Sequence, residues 1–314
     1  MASQSSDTRI LAAGINLLAD VTTARVVRGL REAGLGSILL KGRVYRGWID
    51  DDPGRFSGDI DLLVDAGELT RVEEVLASLG FVRQGSLDAL PGDRPYHASN
   101  WATRESVEID LHNHIVGIGA PADVAWRVLL ETTEPIEVMG EEVAVLGAAA
   151  RAMHLALHAA QHGVAETRTL RDLERGIDVL SAALWGDAAA LARRLDATAA
   201  FSVGLRLTED GRLLAEQLEL PDETPLDVAL WASSPPPMTA GFEWLSTIPS
   251  PGRKAWFVAR KIVPPPEWMR AWQPLARRGK IGLAAAYVWR PVWLVTHAPP
   301  AYRAWRRLRR ERRH

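Results

Sequence analysis

The segment Asp59-Ile60-Asp61-Leu62-Leu63-Val64 constrains this chain more than any other. Its apolar residues read as a strand, and strand side chains alternate between faces. Asp59 and Asp61 therefore project from one face, about 6–7 Å apart along the backbone. Two carboxylates so close repel each other, and next to an apolar run they are costly without a cation. Magnesium is such a cation, a hard ion that prefers carboxylate and phosphate oxygens. Taken alone, the pattern also suits a solvent-facing acidic edge.

Three neighbouring features favour the cation. Val107-Glu108-Ile109-Asp110-Leu111-His112 alternates in the same way, so it reads as a second strand with Glu108, Asp110 and His112 on one face. Asp110 can complete a three-carboxylate cluster with Asp59 and Asp61. Upstream, the apolar run Ser37-Ile38-Leu39-Leu40 leads into Lys41-Gly42, a strand ending in a glycine turn able to present backbone N–H groups to phosphate. Lys41 is also the single lysine among 20 arginines before residue 253. A compact ammonium on a flexible stem does not do the work of a guanidinium.

Around these segments the chain alternates helix and strand. Helices are predicted over Thr8–Ala33 and Glu68–Leu79, with a further one beginning within Val44–Ile49 and an extended piece at Phe81-Val82. Asp50 to Gly54 reads as a turn-rich loop. From Gly147 onward the pattern is helical: Ala148–His162, Thr169–Leu184, Asp187–Leu195, and on to Leu218. Pro221–Pro237 reads as loop for much of its length. Short Trp- and Arg-bearing helices follow, separated by Pro264-Pro265-Pro266 and Pro299-Pro300. The expected fold class is α+β: a mixed-sheet domain over 1–146, a helical domain over 147–232, and a Pro/Trp/Arg-rich helical region over 233–314.

At this point the chain resembles a known family. A glycine turn, the acidic pair and a third acid on a later strand form the layout of the DNA polymerase beta-type nucleotidyltransferase superfamily. More closely, Leu40-Lys41-Gly42, Arg55-x-x-x-Asp59-Ile60-Asp61, Ile109-Asp110-Leu111-His112 and a helix carrying Leu157-His158 and His162 look like the uncharacterised nucleotidyltransferase family. The likeness covers about residues 10–185. The superfamily commonly has Gly-Ser or Gly-Gly at its turn, whereas Gly42-Arg43 stands here.

The resemblance implies a magnesium-dependent enzyme, with manganese as a substitute ion. It would move a nucleoside monophosphate, AMP first among them, from a triphosphate to a hydroxyl or phosphate acceptor. The acceptor would be a small molecule or a biosynthetic peptide, with pyrophosphate leaving. Asp59 and Asp61 would ligate two ions, and Asp110 would ligate the catalytic one and take the nucleophile's proton. Lys41, the Gly42 backbone and Arg55 would hold the phosphates, with Arg46 a weaker candidate. Two other readings stand beside it: a toxin-like transferase acting on tRNA or protein, and a non-catalytic nucleotide-binding partner.

His154, His158 and His162 recur at four-residue intervals, a spacing that can bind zinc, but the glutamate of the metalloprotease pattern is missing. The reading is a hydrogen-bonded structural face, with His158, His162 and Asp172 placed near the site by resemblance. His112 faces the same side as Asp110, where it orients that acid, contacts substrate, or is simply buried.

Composition narrows the classes further. Apolar residues make up 47% and charged residues 24%, ordinary for a globular protein. The absence of cysteine excludes disulfides and thiolate chemistry. A net charge of -2 conceals an asymmetry: from Arg253 on there are 16 Lys/Arg against two acids, Glu267 and Glu311. Six of the 12 Trp fall there as well. Such a tail suits an anionic surface, whether membrane or nucleic acid, or an acidic peptide. The N-terminus lacks the pattern of a secretory signal, so a cytoplasmic protein, with peripheral membrane contact through the tail, is expected.

Overall fold

A computed structural model describes residues 2–50, 58–84, 98–103, 107–233, 236 and 238–311. The chain divides into two units, one formed by residues 1–84 and 97–223, the other by residues 85–96 and 224–314.

The first unit carries a mixed seven-stranded sheet. In chain order its elements are α1 (Ala2–Glu32), β1 (Ser37–Leu39), β2 (Asp59–Val64), α2 (Leu69–Ser78), β3 (Val82–Arg83), β4 (Ala98–Ala102), β5 (Glu108–His112), α3 (Ala122–Glu131), β6 (Glu134–Val138) and β7 (Glu141–Val145). Helices α4 (Ala148–His162), α5 (Thr167–Val179), α6 (Ala182–Arg194), α7 (Thr198–Leu205) and α8 (Glu209–Gln217) follow in the same unit. The strand order is β3-β4-β5-β2-β1-β7-β6, with β2/β5 and β1/β7 parallel and the other pairs antiparallel.

Alternation explains why β2 and β5 sit near the middle. Ile60, Leu62 and Val64 on β2, and Ile109 and Leu111 on β5, put one face of the sheet into the core, all of them almost inaccessible. The acids and His112 fall on the opposite face. Helix α1 packs on β6, β7 and α2. Ile10–Glu32 is long and apolar enough to cross a bilayer by length and composition alone, but half of the stretch is buried within the fold. Its polar residues have partners: Asp20 accepts from Arg43 and Arg46, and Arg28 and Arg31 both donate to Glu141.

Helix α4 is Ala-rich, so neighbours approach it closely. At Gly204 on α7, an added Cβ would drive into the Ala156 carbonyl of α4. Gly163 closes α4 with φ 67, a conformation that side-chain-bearing residues rarely adopt.

Several sequence expectations are corrected. One helix was expected to run from Thr169 to Leu184 and another to start at Asp187; instead the break falls at Leu180-Ser181. Ser181 caps α6 by accepting from the Leu184 N–H at 3.3 Å, which a β-region Ser does well. The helix expected within Val44–Ile49 is a single short 3-10 turn at Gly42–Tyr45, and Gly47, with φ 75, turns the chain soon after it. Strands β4, β6 and β7 and helix α3 are additional elements.

The second unit, in its described part, is helical: α9 (Leu226–Ala232), α10 (Thr239–Thr247), α11 (Pro251–Ile262), α12 (Pro266–Trp272) and α13 (Gly279–Glu311). Helix α9 lies inside the Pro221–Pro237 stretch. Pro299-Pro300 does not separate helices; both prolines, and Pro291, lie inside α13. Met269, Ala276 and Ala286 form its small core, packed by Trp268, Trp272, Leu283 and Tyr287. The Arg290 guanidinium lies over the rings of Trp268, Trp272 and Trp293, 4.5–4.8 Å from each centroid, and donates to the Lys261 carbonyl. Burial lowers its pKa to about 10.

Candidate active site

Parallel pairing of β2 with β5 sets Asp61 directly opposite Asp110, Asp59 opposite Glu108, and Leu63 opposite His112. With a side-chain period of two, Asp61, Asp110 and His112 share the sheet face away from Ile60, Leu62, Ile109 and Leu111. One ligand atom from each of the three lies within 4.8 Å of the others. Asp61 is only 2% exposed, whereas Asp59 at the strand start is exposed and stands outside this trio.

Lys41 enters from β1. The Leu40 N–H donates to the Asp61 carbonyl at 3.0 Å, continuing the sheet one step past β1 and setting Lys41 beside Asp61. Gly42 follows with φ 73, a left-handed position that turns the chain out of the sheet. The Lys41 ammonium pairs with Asp61 Oδ1 at 2.8 Å, and His112 Nε2 donates to the same oxygen at 3.0 Å. His112 thus bonds across to Asp61, on the neighbouring strand.

These contacts drive the two acids apart in acidity. Burial alone would raise the Asp61 pKa, but the His112 hydrogen bond and the Lys41 ammonium outweigh it and hold the carboxyl well below the usual range. Asp110 moves the other way: burial, then the charges of Asp61 and Asp59, push it up against the opposing pull of His112 and Lys41. Two close acids with opposed shifts fit a divalent ion, which would offset both the burial and the repulsion that raise Asp110. Carboxylate oxygens suit hard divalent ions such as magnesium or manganese.

Behind Lys41 stands the histidine face of α4. Lys41 Nζ lies 3.2 Å from His158 Nε2, and Tyr45 Oη lies 3.3 Å from His154 Nδ1. The His154 and His158 rings stack at 5.7 Å, and His158 meets His162 edge-on at 4.5 Å. Burial and the nearby Lys41 charge push His154 down to about 3, His158 well below its usual value, and His162 down as well. The histidine face therefore reaches the site through Lys41, a link no local sequence pattern announces.

A family model described as "Uncharacterised nucleotidyltransferase" matches residues 6–210. The chain belongs to that family. About two-thirds of the nucleotidyltransferase lies within the match, including every strand among the described residues and all the residues of the trio. No curated protein sequence matches the chain. Among solved structures, similar chains include the antibiotic-resistance factor ANT(2'')-Ia at 14% identity and TM-score 0.38, covering 59% of this chain and 94% of its own. The same factor, solved in complex with adenylyl-2''-tobramycin, gives 13% identity and TM-score 0.37 over 56% of this chain and 97% of its own. A nucleotidyltransferase-like protein from Paracoccidioides brasiliensis gives 15% and 0.35 over 58% and 91%.

The remaining candidates of this nucleotidyltransferase are placed less centrally. Arg46 is turned to Asp20 of α1 at 3.2 Å, an acid it shares with Arg43 at 2.7 Å. Asp172 lies on the buried side of α5 with Thr169, Leu173 and Gly176. On the same helix, Arg175 pairs with Asp50, which follows the Gly42 turn. Arg55 lies outside the described residues.

Proposed function

We propose that this nucleotidyltransferase moves a nucleoside monophosphate, AMP first among them, from a triphosphate to a hydroxyl or phosphate acceptor on a small molecule or peptide. The observation that carries this reading is the in-register pair Asp61 and Asp110, with His112 beside them and the Lys41 ammonium resting on Asp61. Asp61 and Asp110 would hold a divalent ion, magnesium with manganese as substitute, with His112 beside them on Asp61. Exposed Asp59 would stand at the outer edge, toward a second ion. The ion supplies charge neutralisation at the phosphates and acidifies an attacking hydroxyl.

The chain's own residues do the rest. Lys41, at the turn held by Gly42, offers its charge to the β- and γ-phosphates, and Arg55 is assigned the same work by resemblance. His112 orients the Asp61 carboxylate through the shared Oδ1. Asp110 faces the acceptor and takes its proton. The acceptor oxygen forms a bond to the α-phosphorus, the bond to the β-phosphate oxygen breaks, and pyrophosphate departs, so no covalent enzyme intermediate is required.

A second reading, transfer to tRNA or protein, is favoured by the 16 Lys/Arg against two acids from Arg253 onward. That region is also the part we assign to an anionic partner, a membrane surface or an acidic peptide included. Binding to tRNA that weakens steeply with salt separates the macromolecular acceptor from a small one.

The test is incubation of the purified protein with each α-labelled triphosphate, magnesium and a cell extract, followed by mass spectrometry of whatever gains a nucleotide. Transfer that depends on magnesium and disappears in Asp110→Asn supports the reading. Transfer undiminished by that substitution, or phosphate release with no nucleotide attached to anything, overturns it.

A further inference from the structure

The proposed chemistry leaves one polar cluster without a role, the histidine face of α4. His158 is half-buried on α4, and its Nε2 is 3.2 Å from the Lys41 ammonium. The contact joins residues 117 positions apart and brings α4 to the turn that follows β1. Among the described residues, Lys41 has two acceptors, Asp61 Oδ1 at 2.8 Å and His158 Nε2 at 3.2 Å.

The two acceptors differ in kind. Asp61 neutralises the ammonium, while a neutral imidazole only directs it. A divalent ion on Asp61 would compete with Lys41 for that carboxylate and weaken the pairing. Lys41 would then be a flexible, strongly hydrated cation free to swing into solvent, unless something else fixes it. A carboxylate at position 158 would hold Lys41 but cancel its charge and compete with phosphate for it. An uncharged nitrogen acceptor fixes the amine and leaves its full charge available. Burial, with Lys41 and His154 alongside, keeps His158 in that uncharged form, and the short contact assigns the bare lone pair to Nε2. Stacking on His154 and edge contact with His162 hold the ring itself in place.

We propose that His158 is the positioning residue for Lys41: it keeps the ammonium at the carboxylate pair when a divalent ion takes Asp61, so that Lys41 meets the triphosphate instead of leaving for solvent. This rests on the reading of Lys41 as a phosphate holder.

The experiment measures binding of inorganic tripolyphosphate in magnesium by calorimetry, for wild type, His158→Leu, His158→Gln, Lys41→Met and the double variant Lys41→Met/His158→Leu. Thermal melts confirm that each is folded. Tripolyphosphate has no base, so nucleotide preference does not enter. A hydrogen bond to a charged group sets the expected scale, a loss of about tenfold for His158→Leu. His158→Gln, which keeps an acceptor, should stay near wild type. In the Lys41→Met background, His158→Leu should change nothing further, because a residue acting only through Lys41 has nothing left to act on. Should His158→Leu not fold, His158→Asn, polar but too short to reach Lys41, takes its place.

Three results would overturn the proposal: wild-type affinity in His158→Leu, equal weakening in the Gln and Leu variants, or the same tenfold loss in the Lys41→Met background. Absence of tripolyphosphate binding by the wild type also overturns it. The transfer reaction is judged separately by labelled nucleotide incorporation. Incorporation with no His158 dependence sinks this inference alone, and His158-dependent binding with no incorporation sinks the transferase reading alone.

Discussion

Asp61 and Asp110 stand directly opposite each other on adjacent parallel strands, yet their acidities are driven in opposite directions. Lys41 and His112 both bind one oxygen of Asp61, so its charge is matched. Asp110 is pushed up by burial first and then by the repulsion of Asp61 and Asp59. Such a pair is stable only with a cation nearby, and in this structure the Lys41 ammonium is that cation.

Asp110→Asn should therefore separate stability from activity. Removing the repelled charge leaves the ion-free melting temperature unchanged or raised, while nucleotide transfer falls by at least a hundredfold, the scale of losing a group essential to the transition state. Calorimetry and labelled-nucleotide assays on the same preparation check both halves. A variant that is strongly destabilised without metal would contradict the repulsion.

Asp61→Asn should behave in the opposite way. It strips Lys41 and His112 of a buried counter-charge and costs about 3 kcal/mol of stability, the usual scale for breaking a buried pair. Magnesium or manganese should raise the melting temperature of the wild type by mass action, and of neither carboxylate variant. An equal metal-induced rise in all three proteins would place the ion elsewhere.

Acid should unfold the protein earlier than its carboxylates alone require. Unfolded His154 binds its proton near 6.5, and burial lowers that value to about 3 in the fold. Between those values the unfolded state holds a proton that the folded state refuses. Stability is complete above 6.5 and is lost as pH falls toward 3, at up to about 1.4 kcal/mol per pH unit for one such group. His158 and His162 shift in the same direction, while the raised Asp110 returns some stability at low pH. Melting temperatures from pH 7 to 5 should fall, and His154→Gln should flatten the slope. An unchanged slope in that variant would refute the assignment.

Packing of α4 against α7 should be intolerant of a single methyl group. Gly204→Ala would force its Cβ into the Ala156 backbone, which has no rotamer to escape through. Overpacking of that kind costs about 3 kcal/mol or more, read as a large fall in the chemical-denaturation midpoint. Gly186→Ala on α6, where a Cβ meets nothing within 4 Å, is the control and should be neutral or better.

The acidic strand pair was legible in the sequence because period-two alternation is local. Asp61, Asp110 and His112 could be assigned to one face each without knowing the fold, and Lys41 stood out by composition. What alternation does not carry is strand order: only the parallel register brings Asp61 to Asp110 and leaves Asp59 beside Glu108 at the exposed strand start. The β6–β7 hairpin also carries a local signal. Ile136 and Val138 alternate before Met139-Gly140, and Val143 and Val145 after it. Met139 and Gly140 have φ of 52 and 79, the left-handed pair that a two-residue hairpin turn requires. Arg46 illustrates the converse. As an arginine near the glycine turn it suits phosphate, but its partner Asp20 sits 26 residues earlier on α1, and tertiary packing alone shows the pairing. The Lys41–His158 contact was hidden for the same reason.

The most direct measurement is anomalous diffraction from crystals grown with manganese and a triphosphate analogue whose α,β-bridge cannot be cleaved. The account predicts an anomalous peak bonded to carboxylate oxygens of both Asp61 and Asp110, with Lys41 moved from Asp61 onto phosphate and still within reach of His158. A peak that avoids both acids, or Lys41 still paired with Asp61 while nucleotide is bound, would contradict it.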